Sequence, residues 1–455
     1  MQGPLFAYFL AGQKVGRPPG RIPGTTLGST QKQLKPMRQL ILTLVVATTA
    51  LTANAAPPWR FTFSTQAPAT GETAVTAETT YTPDRHYGYE PNAALNAAGQ
   101  PTFFSVDLPE GNYRITATLG GPQASDTTVK AELRRLMLDA VQVPADGSAT
   151  RSFIVNVRTA DITAAPGVEP GRVKLKEREI ASEAWAWDRR LTLEINGPRP
   201  ALQRLEIEPV RVPTVFLLGD STVADQGGEP YASWGQMLTA LFKPTVAVAN
   251  HAESGETFRD SLARRRLDKI LSVLQPGDTV LLQFGHNDQK QQRDGSGNAQ
   301  TYQAEMRTHA ERILARGGVP VIVSSMERRS FDAEGRLKPS LLEYADAARA
   351  VARDMKLAFV DLNAMSQAFY AALGPERSQA AHPVNNGKLD NTHHNNYGAA
   401  QLARFVAQGL RDAGVPVAAQ LRDDLGPIDP ARPLPPEGFH IAASPGHTQL
   451  RPLGD

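Results

Sequence analysis

From Trp59 to about Pro209 the chain runs in short stretches of alternating apolar and polar residues, broken by Gly, Pro, Asp and Asn. Tyr113–Leu119 alternates with period two after the turn sequence Pro109–Asn112, and Phe153–Val157 and Leu191–Ile195 repeat the pattern. Successive side chains on a strand point to opposite faces, so this spacing predicts half-buried strands stacked as a β-sandwich over residues 57–209. The basic cluster Arg172–Arg178, interleaved with Val173 and Leu175, reads as a solvated strand face.

After Pro209 the period changes. Thr214–Leu218, Val246–Ala249, Thr279–Phe284, Val319–Val323 and Leu357–Val360 are continuous apolar runs, as expected of strands covered on both faces. Between them lie helical patterns: Leu267, Ile270, Leu271 and Leu274 on one face, then Tyr302–Ala315 and Leu341–Met355. Buried strand alternating with helix predicts an α/β fold with a parallel sheet and right-handed crossovers over residues 213–416. Ligand chemistry in such a sheet belongs at the carboxyl ends of the strands. Residues 417–455, with Pro427, Pro430, Pro433, Pro435 and Pro436, predict an extended tail over the surface or loose.

Charge refines the picture at the N-terminus. The total is +2, but residues 1–55 hold six basic residues and no Asp or Glu, leaving 42 basic against 46 acidic, a net of −4. No basic footprint for nucleic acid survives that separation. Lys35 and Arg38 precede the apolar run Leu40–Leu51, which ends in Ala53-Asn54-Ala55. This is the layout of a secretory signal over residues 37–55, with Met37 as the expected start, residues 1–36 as an over-long extension, and a secreted or periplasmic mature chain. The run is shorter than the roughly 20 residues a membrane span needs, and no other stretch is apolar enough. The absence of cysteine excludes thiolate metal sites, disulfides and cysteine nucleophiles.

Four strand ends bring chemically useful groups to one sheet edge. The first carries Gly219-Asp220-Ser221-Thr222, with a serine exposed on a turn. The second carries Gly255, which permits close backbone approach to a ligand. The third carries Gly285-His286-Asn287-Asp288, an amide side chain beside the serine. Beyond the fifth comes Asp390-Asn391-Thr392-His393, followed by Gly398 and the helical run Ala399–Leu410. Taken singly, Gly-Asp-Ser says little, since Ser and Asp at turns usually bond their own backbone.

Together these blocks resemble the SGNH, or GDSL, hydrolase superfamily. With Ser233-Trp234-Gly235 and Phe284–Asp288 they resemble its rhamnogalacturonan acetylesterase branch, over about residues 213–414. The resemblance implies a three-layer α/β/α, flavodoxin-like sheet preceded by a galactose-binding-like sandwich. It also implies Ser221 as nucleophile, His393 as base and then acid, and Asp390 as the group orienting His393. The oxyanion would be held by the amides of Ser221 and Gly255 and the side chain of Asn287. Trp234 and His286 are placed beside the sugar, Trp234 being equally compatible with the core. His394 reads as a surface or supporting neighbour of the base, and Asp288 as structural. Where the branch often shows Arg-Ser after the loop glycine, this chain has Glu256-Thr257, which sets a carboxylate near the acceptor site.

No His-Glu-x-x-His pattern or phosphate-binding loop is present, so no metal and no cofactor is expected. Without Gly-x-Ser-x-Gly the nucleophile-elbow fold is disfavoured. The run Arg264–Arg266 reads as solvated. The expected function is a secreted carbohydrate O-acetylesterase, with acetylated rhamnogalacturonan implied by the resemblance, while the residues alone support only a small acyl ester. The alternatives are acetyl removal from xylan or another glycan, and a non-catalytic carbohydrate-binding protein.

Overall fold

The computed structural model describes residues 58–63, 67–95, 99–294, 296–446 and 452. The expected signal sequence and N-terminal extension lie outside the described residues. Among those described, no helix is long and apolar enough to cross a membrane.

The alternating half forms two five-stranded sheets, largely antiparallel. One orders Thr73–Ala74, Trp59–Thr62, Leu202–Pro209, Gly111–Gly121 and Gly147–Val157; the other orders Tyr87–Tyr89, Phe103–Asp107, Arg190–Arg199, Ser125–Ala131 and Arg135–Val143. Tyr113, Ile115, Ala117 and Leu119 are the buried members of the period-two run, and they share one core with Phe104, Val106, Leu191 and Leu193 of the facing sheet. The intervening Arg114, Thr116 and Thr118 are less buried, as alternation requires.

The second half has five parallel strands, Thr214–Gly219, Ala247–Asn250, Thr279–Gln283, Val319–Val323 and Ala358–Val360, in the spatial order second, first, third, fourth, fifth. Each strand's two sets of side chains enter different cores. Val215, Leu217, Leu281 and Val321 meet the helices Trp234–Leu238, Leu362–Arg377 and Asn396–Asp412. Phe216, Leu218, Val280, Leu282 and Ile322 meet the helices Arg266–Val273, Ala299–Ala315 and Leu342–Met355. A strand with both faces covered has no polar side, which explains the continuous apolar runs.

The two halves are built into each other. Leu136 belongs to the first of these cores, and Leu133, Ala160, Ile162, Val168, Val173 and Trp187 belong to the second. The segment Arg172–Arg178 is not a solvated strand face: only Gly171–Arg172 is strand, a short helix covers Glu177–Ile180, and the Lys176 and Arg178 side chains are 14% and 22% exposed. The proline-rich segment is docked. Ile428, Ile441, Ala442 and Ser444 are buried, and Ser444 Oγ takes a hydrogen bond from Lys130 Nζ (2.7 Å) and donates one to Glu194 (2.8 Å) in the two-sheet half.

Candidate active site

The first strand ends at Gly219 and the chain turns at once. Asp220 Oδ1 accepts the Thr222 amide (3.0 Å) and hydroxyl (2.7 Å), while its carbonyl accepts the amides of Val223 and Ala224. The turn is braced from below: Trp234 Nε1 donates to Gln283 Oε1 (2.7 Å), and Gln283 Nε2 donates to Thr222 Oγ1 (2.8 Å). Gly235 lets the helix carrying Trp234 come this close, because a Cβ there would sit 2.1 Å from the Val223 carbonyl oxygen. Trp234 is 1% exposed and lies in the apolar core. It supports the turn from the core, one of the two places the sequence left open, and not beside a sugar; an indole with a satisfied N–H is fit for such a buried place.

His286 is a correction to the sequence expectation. Its ring is buried, with Nδ1 3.4 Å from Asp220 Oδ2, under the serine turn instead of beside the substrate. Burial opposes ionisation of Asp220, yet His286 and Thr222 outweigh it and hold the carboxyl below its ordinary range. Asp288 is fully buried, and burial pushes its carboxyl well above the ordinary range.

Ser221 Oγ lies 2.9 Å from His393 Nε2, and His393 Nδ1 lies 2.9 Å from Asp390 Oδ2. A carboxylate only accepts, so the Nδ1 proton points to Asp390 and the Nε2 lone pair faces the serine hydroxyl. Asp390 Oδ1 accepts the amides of Thr392 (2.8 Å) and His393 (2.9 Å), which closes the three-residue spacing into one turn. His382 Nδ1 donates to the His393 carbonyl (2.7 Å). His394 points away: it is buried, its Nε2 is 2.7 Å from the Tyr370 hydroxyl, and its carbonyl accepts the Ala232 amide. It is thus no surface residue, and burial holds it well below the usual histidine range, in the neutral form.

Gly255 has φ +75, a left-handed conformation suited to glycine, in the loop after the second strand. Asn287 Nδ2 donates to the carbonyl of the next loop residue, Glu256 (3.0 Å), which ties the third strand end to that loop. The structure therefore brings together the strand ends bearing Ser221, Gly255, Asn287, Asp390 and His393.

Sequence reading missed what holds the Gly255 loop. Glu253 and Glu256 bracket Gly255, and both carboxylates are buried in a knot of charges. Arg178 Nε donates to Glu253 (2.8 Å), Lys176 Nζ donates to the Ser254 carbonyl, and Arg266 Nε reaches both oxygens of Glu256 (2.8 Å). The other end of the Arg266 guanidinium binds Glu179 (3.0 and 2.7 Å). Two expectations fall here. Glu256 is engaged by Arg266, with Lys176 and Arg264 close by, and does not present its carboxylate to an acceptor sugar; and Arg264–Arg266 is not a solvated run, for Arg266 is fully buried while Arg264 and Arg265 pair with Glu256 and Asp268. Carboxylates on both sides of the loop glycine, with Lys176, Arg178 and Arg266 elsewhere in apolar surroundings, were the available signal.

The GDSL-like lipase/acylhydrolase family model matches residues 217–401. The rhamnogalacturonan acetylesterase RhgT of Bacillus subtilis is 38% identical over 218 residues, covering 46% of this chain and 93% of that protein. The uncharacterized esterase YxiM of the same organism is 28% identical over 319 residues, covering 69% of this chain and 75% of its own. A solved structure of YxiM aligns over 79% of this chain and 99% of that one, with a TM-score of 0.44 and 26% identity.

Proposed function

Since the chain belongs to the GDSL-like lipase/acylhydrolase family, we propose that it is a serine esterase that removes O-acetyl groups from a polysaccharide, with acetylated rhamnogalacturonan as its substrate. The observation that carries the reading is the hydrogen-bonded series Ser221–His393–Asp390, buried at the carboxyl edge of the parallel sheet. Ser221 Oγ attacks the acetyl carbonyl as His393 Nε2 takes its proton, and Asp390 stabilises the imidazolium and fixes its tautomer. The sugar oxygen leaves with that proton. Water, deprotonated by His393, then attacks the acetyl-serine and releases acetate. Donors from Ser221, Gly255 and Asn287 stabilise the two tetrahedral oxyanions.

The choice of rhamnogalacturonan is supported by the coverage of RhgT, which spans nearly all of that protein. The signal-like run Leu40–Leu51 and Ala53-Asn54-Ala55 supports export. N-terminal sequencing of protein recovered outside the cytoplasm checks that point, with a mature terminus near Ala56 expected. Acetate release from acetylated rhamnogalacturonan and acetylated xylan, measured side by side with Ser221→Ala as control, tests the function. Release from the first alone is expected; release from xylan alone moves the substrate, and unchanged release by Ser221→Ala overturns the mechanism.

A further inference from the structure

The loop Gln226–Tyr231, which follows Ser221, is gripped from the two-sheet half by one side chain. Arg134 lies in the turn Glu132–Arg134 between the strands Ser125–Ala131 and Arg135–Val143. Its Nη1 donates to the Gln226 carbonyl (3.1 Å) and the Tyr231 carbonyl (2.7 Å), and its Nη2 pairs with Glu229 Oε1 (2.6 Å). Its Nε donates to Ser444 Oγ (3.1 Å) on the docked C-terminal segment. One planar guanidinium thus fixes three points of a single loop and ties them to a fourth outside it. A loop containing Gly227 and Gly228 needs such a hold, because glycine imposes no backbone conformation of its own.

The turn that carries Arg134 is itself plugged into the parallel-sheet half. Glu132 and Arg134 both take left-handed backbone angles (φ +56 and +60), which residues with side chains rarely adopt. Between them Leu133 is buried in the core that holds Phe216, Leu218 and Leu282, and its carbonyl accepts Gln236 Nε2 (2.7 Å). The same Gln236 nitrogen donates to the Gln226 carbonyl (3.0 Å). The charges around the grip are matched: Arg134 and Lys130 face Glu229 and Glu194, and all four are buried. Burial opposes ionisation of Glu229, yet Arg134 and Lys130 outweigh it and hold its carboxyl below the ordinary range.

The grip reaches the reacting groups through two side chains of the loop. Gln226 Nε2 donates to the Ser221 carbonyl (2.6 Å) and to Ser254 Oγ (3.3 Å), so it joins the nucleophile to the Gly255 loop. The Tyr231 ring stands edge-on to the His393 ring (5.9 Å between centroids), and its hydroxyl accepts Asn385 Nδ2 (3.1 Å). We propose that Arg134 is a positioning residue of the esterase site, setting Ser221 through Gln226 and His393 through Tyr231. This role rests on the esterase reading above, and it gives a residue of the two-sheet half a share in the rate.

Steady-state hydrolysis of p-nitrophenyl acetate by the full chain tests it, because so small an ester makes no use of sugar contacts. Arg134→Met is expected to lower kcat by about 100-fold with KM within about twofold of the wild type, as for a misplaced reacting group. Arg134→Lys, which keeps the charge without the fork, should lower kcat by about tenfold, and it carries the test if Arg134→Met does not fold. Gln226→Ala should also cost about tenfold in kcat. Combined with Arg134→Lys it should lose less than the product of the two single losses, since both act on Ser221 by one route. Wild-type kcat in every folded Arg134 variant, a loss confined to KM or thermal stability, or a double variant at the full product overturns the proposal and leaves the esterase reading standing. Wild-type turnover that survives Ser221→Ala, or no turnover at all, overturns the esterase reading and this role with it.

Discussion

The serine–histidine–aspartate series and the Gly255 loop lie at the same sheet edge but are held by different physics. The series is joined by hydrogen bonds of 2.9 Å, and its histidine and carboxylate come from one turn three residues long. The loop is held by charged pairs: Arg178, 75 positions away, with Glu253, and Arg266, ten positions on, bridging Glu256 to the distant Glu179. Four basic side chains (Lys176, Arg178, Arg264, Arg266) meet four carboxyl groups (Glu179, Glu183, Glu253, Glu256) in or beside that knot, where burial pushes Glu253 up to about 8. Ser221 and His393 are thus assembled within the parallel-sheet half, while the Gly255 loop is fastened in part by a segment that precedes it, through Lys176, Arg178 and Glu179. The half that lacks Ser221 thereby helps to hold a loop at the sheet edge where Ser221 lies.

The largest effects should separate the two arrangements. Ser221→Ala or His393→Ala is expected to lower kcat by about 10⁶-fold, as for members of a coupled triad, with the fold intact by circular dichroism. His394→Ala is the control: it removes the Tyr370 contact and lowers thermal stability, but leaves the Ser221–His393 pair in place. On the loop side, Arg266→Met leaves Glu256 and Glu179 buried without their cation. Denaturant unfolding should show a loss of about 3–5 kcal/mol. Asn287→Ala removes one oxyanion donor, and steady-state kinetics should show kcat lower by about 10²- to 10³-fold.

That contrast also explains what could be read from the chain. Ser221, Asp390 and His393 were legible because four blocks at the strand ends together resemble one hydrolase family; the three-residue spacing that sets Asp390 and His393 in one turn agrees with that reading but would not have carried it alone. The parallel strands were legible because both faces are covered and the runs are continuous, as in Thr279–Gln283. His286 was misplaced, and Trp234 left open between sugar and core, because residue type does not say whether a side chain near the sheet edge faces the substrate or the layer below. The charge knot was invisible for a different reason. Glu179 and Arg266 are 87 positions apart, and a charged residue in a mixed run looks solvated until its partner is found. Burial made these residues structural, and burial is a property of the assembled layers.

A smaller effect sharpens the claim that the loop is fastened from outside the parallel-sheet half. Arg178→Ala leaves Ser221, His393 and Asp390 untouched but frees Glu253 at the base of the Gly255 loop. Misplacing an oxyanion donor by about 1 Å costs up to 10²-fold, so kcat for a small ester should fall by about 10- to 100-fold with KM nearly unchanged. Arg178→Lys should restore part of the loss. A shifted pH profile of kcat/KM, which reports the His393 base, would mean that the triad was disturbed too.

The smallest expected effect concerns pH and a support of the loop that is neutral. His309 packs 4.9 Å from Phe258, at the start of the helix that follows the loop. Its Nδ1 donates to the Glu305 carbonyl, and its Nε2 accepts from Ser261 Oγ (2.6 Å). Burial pushes its pKa down to about 4. A histidine with a depressed folded pKa binds fewer protons in the native state than in the unfolded one, so it costs stability as pH falls from about 6.5 toward 4. Between pH 6.5 and 5.5 the loss is about 1 kcal/mol for this residue. Glu132 works with the opposite sign: burial raises it to about 8, so its share of stability declines as pH rises from about 4.5 to 8. The whole-protein curve mixes the two, and the difference between wild type and His309→Gln isolates the histidine. If that difference is flat between pH 6.5 and 5.5, His309 is not held neutral, and the helix after the loop owes its place to the charge knot alone.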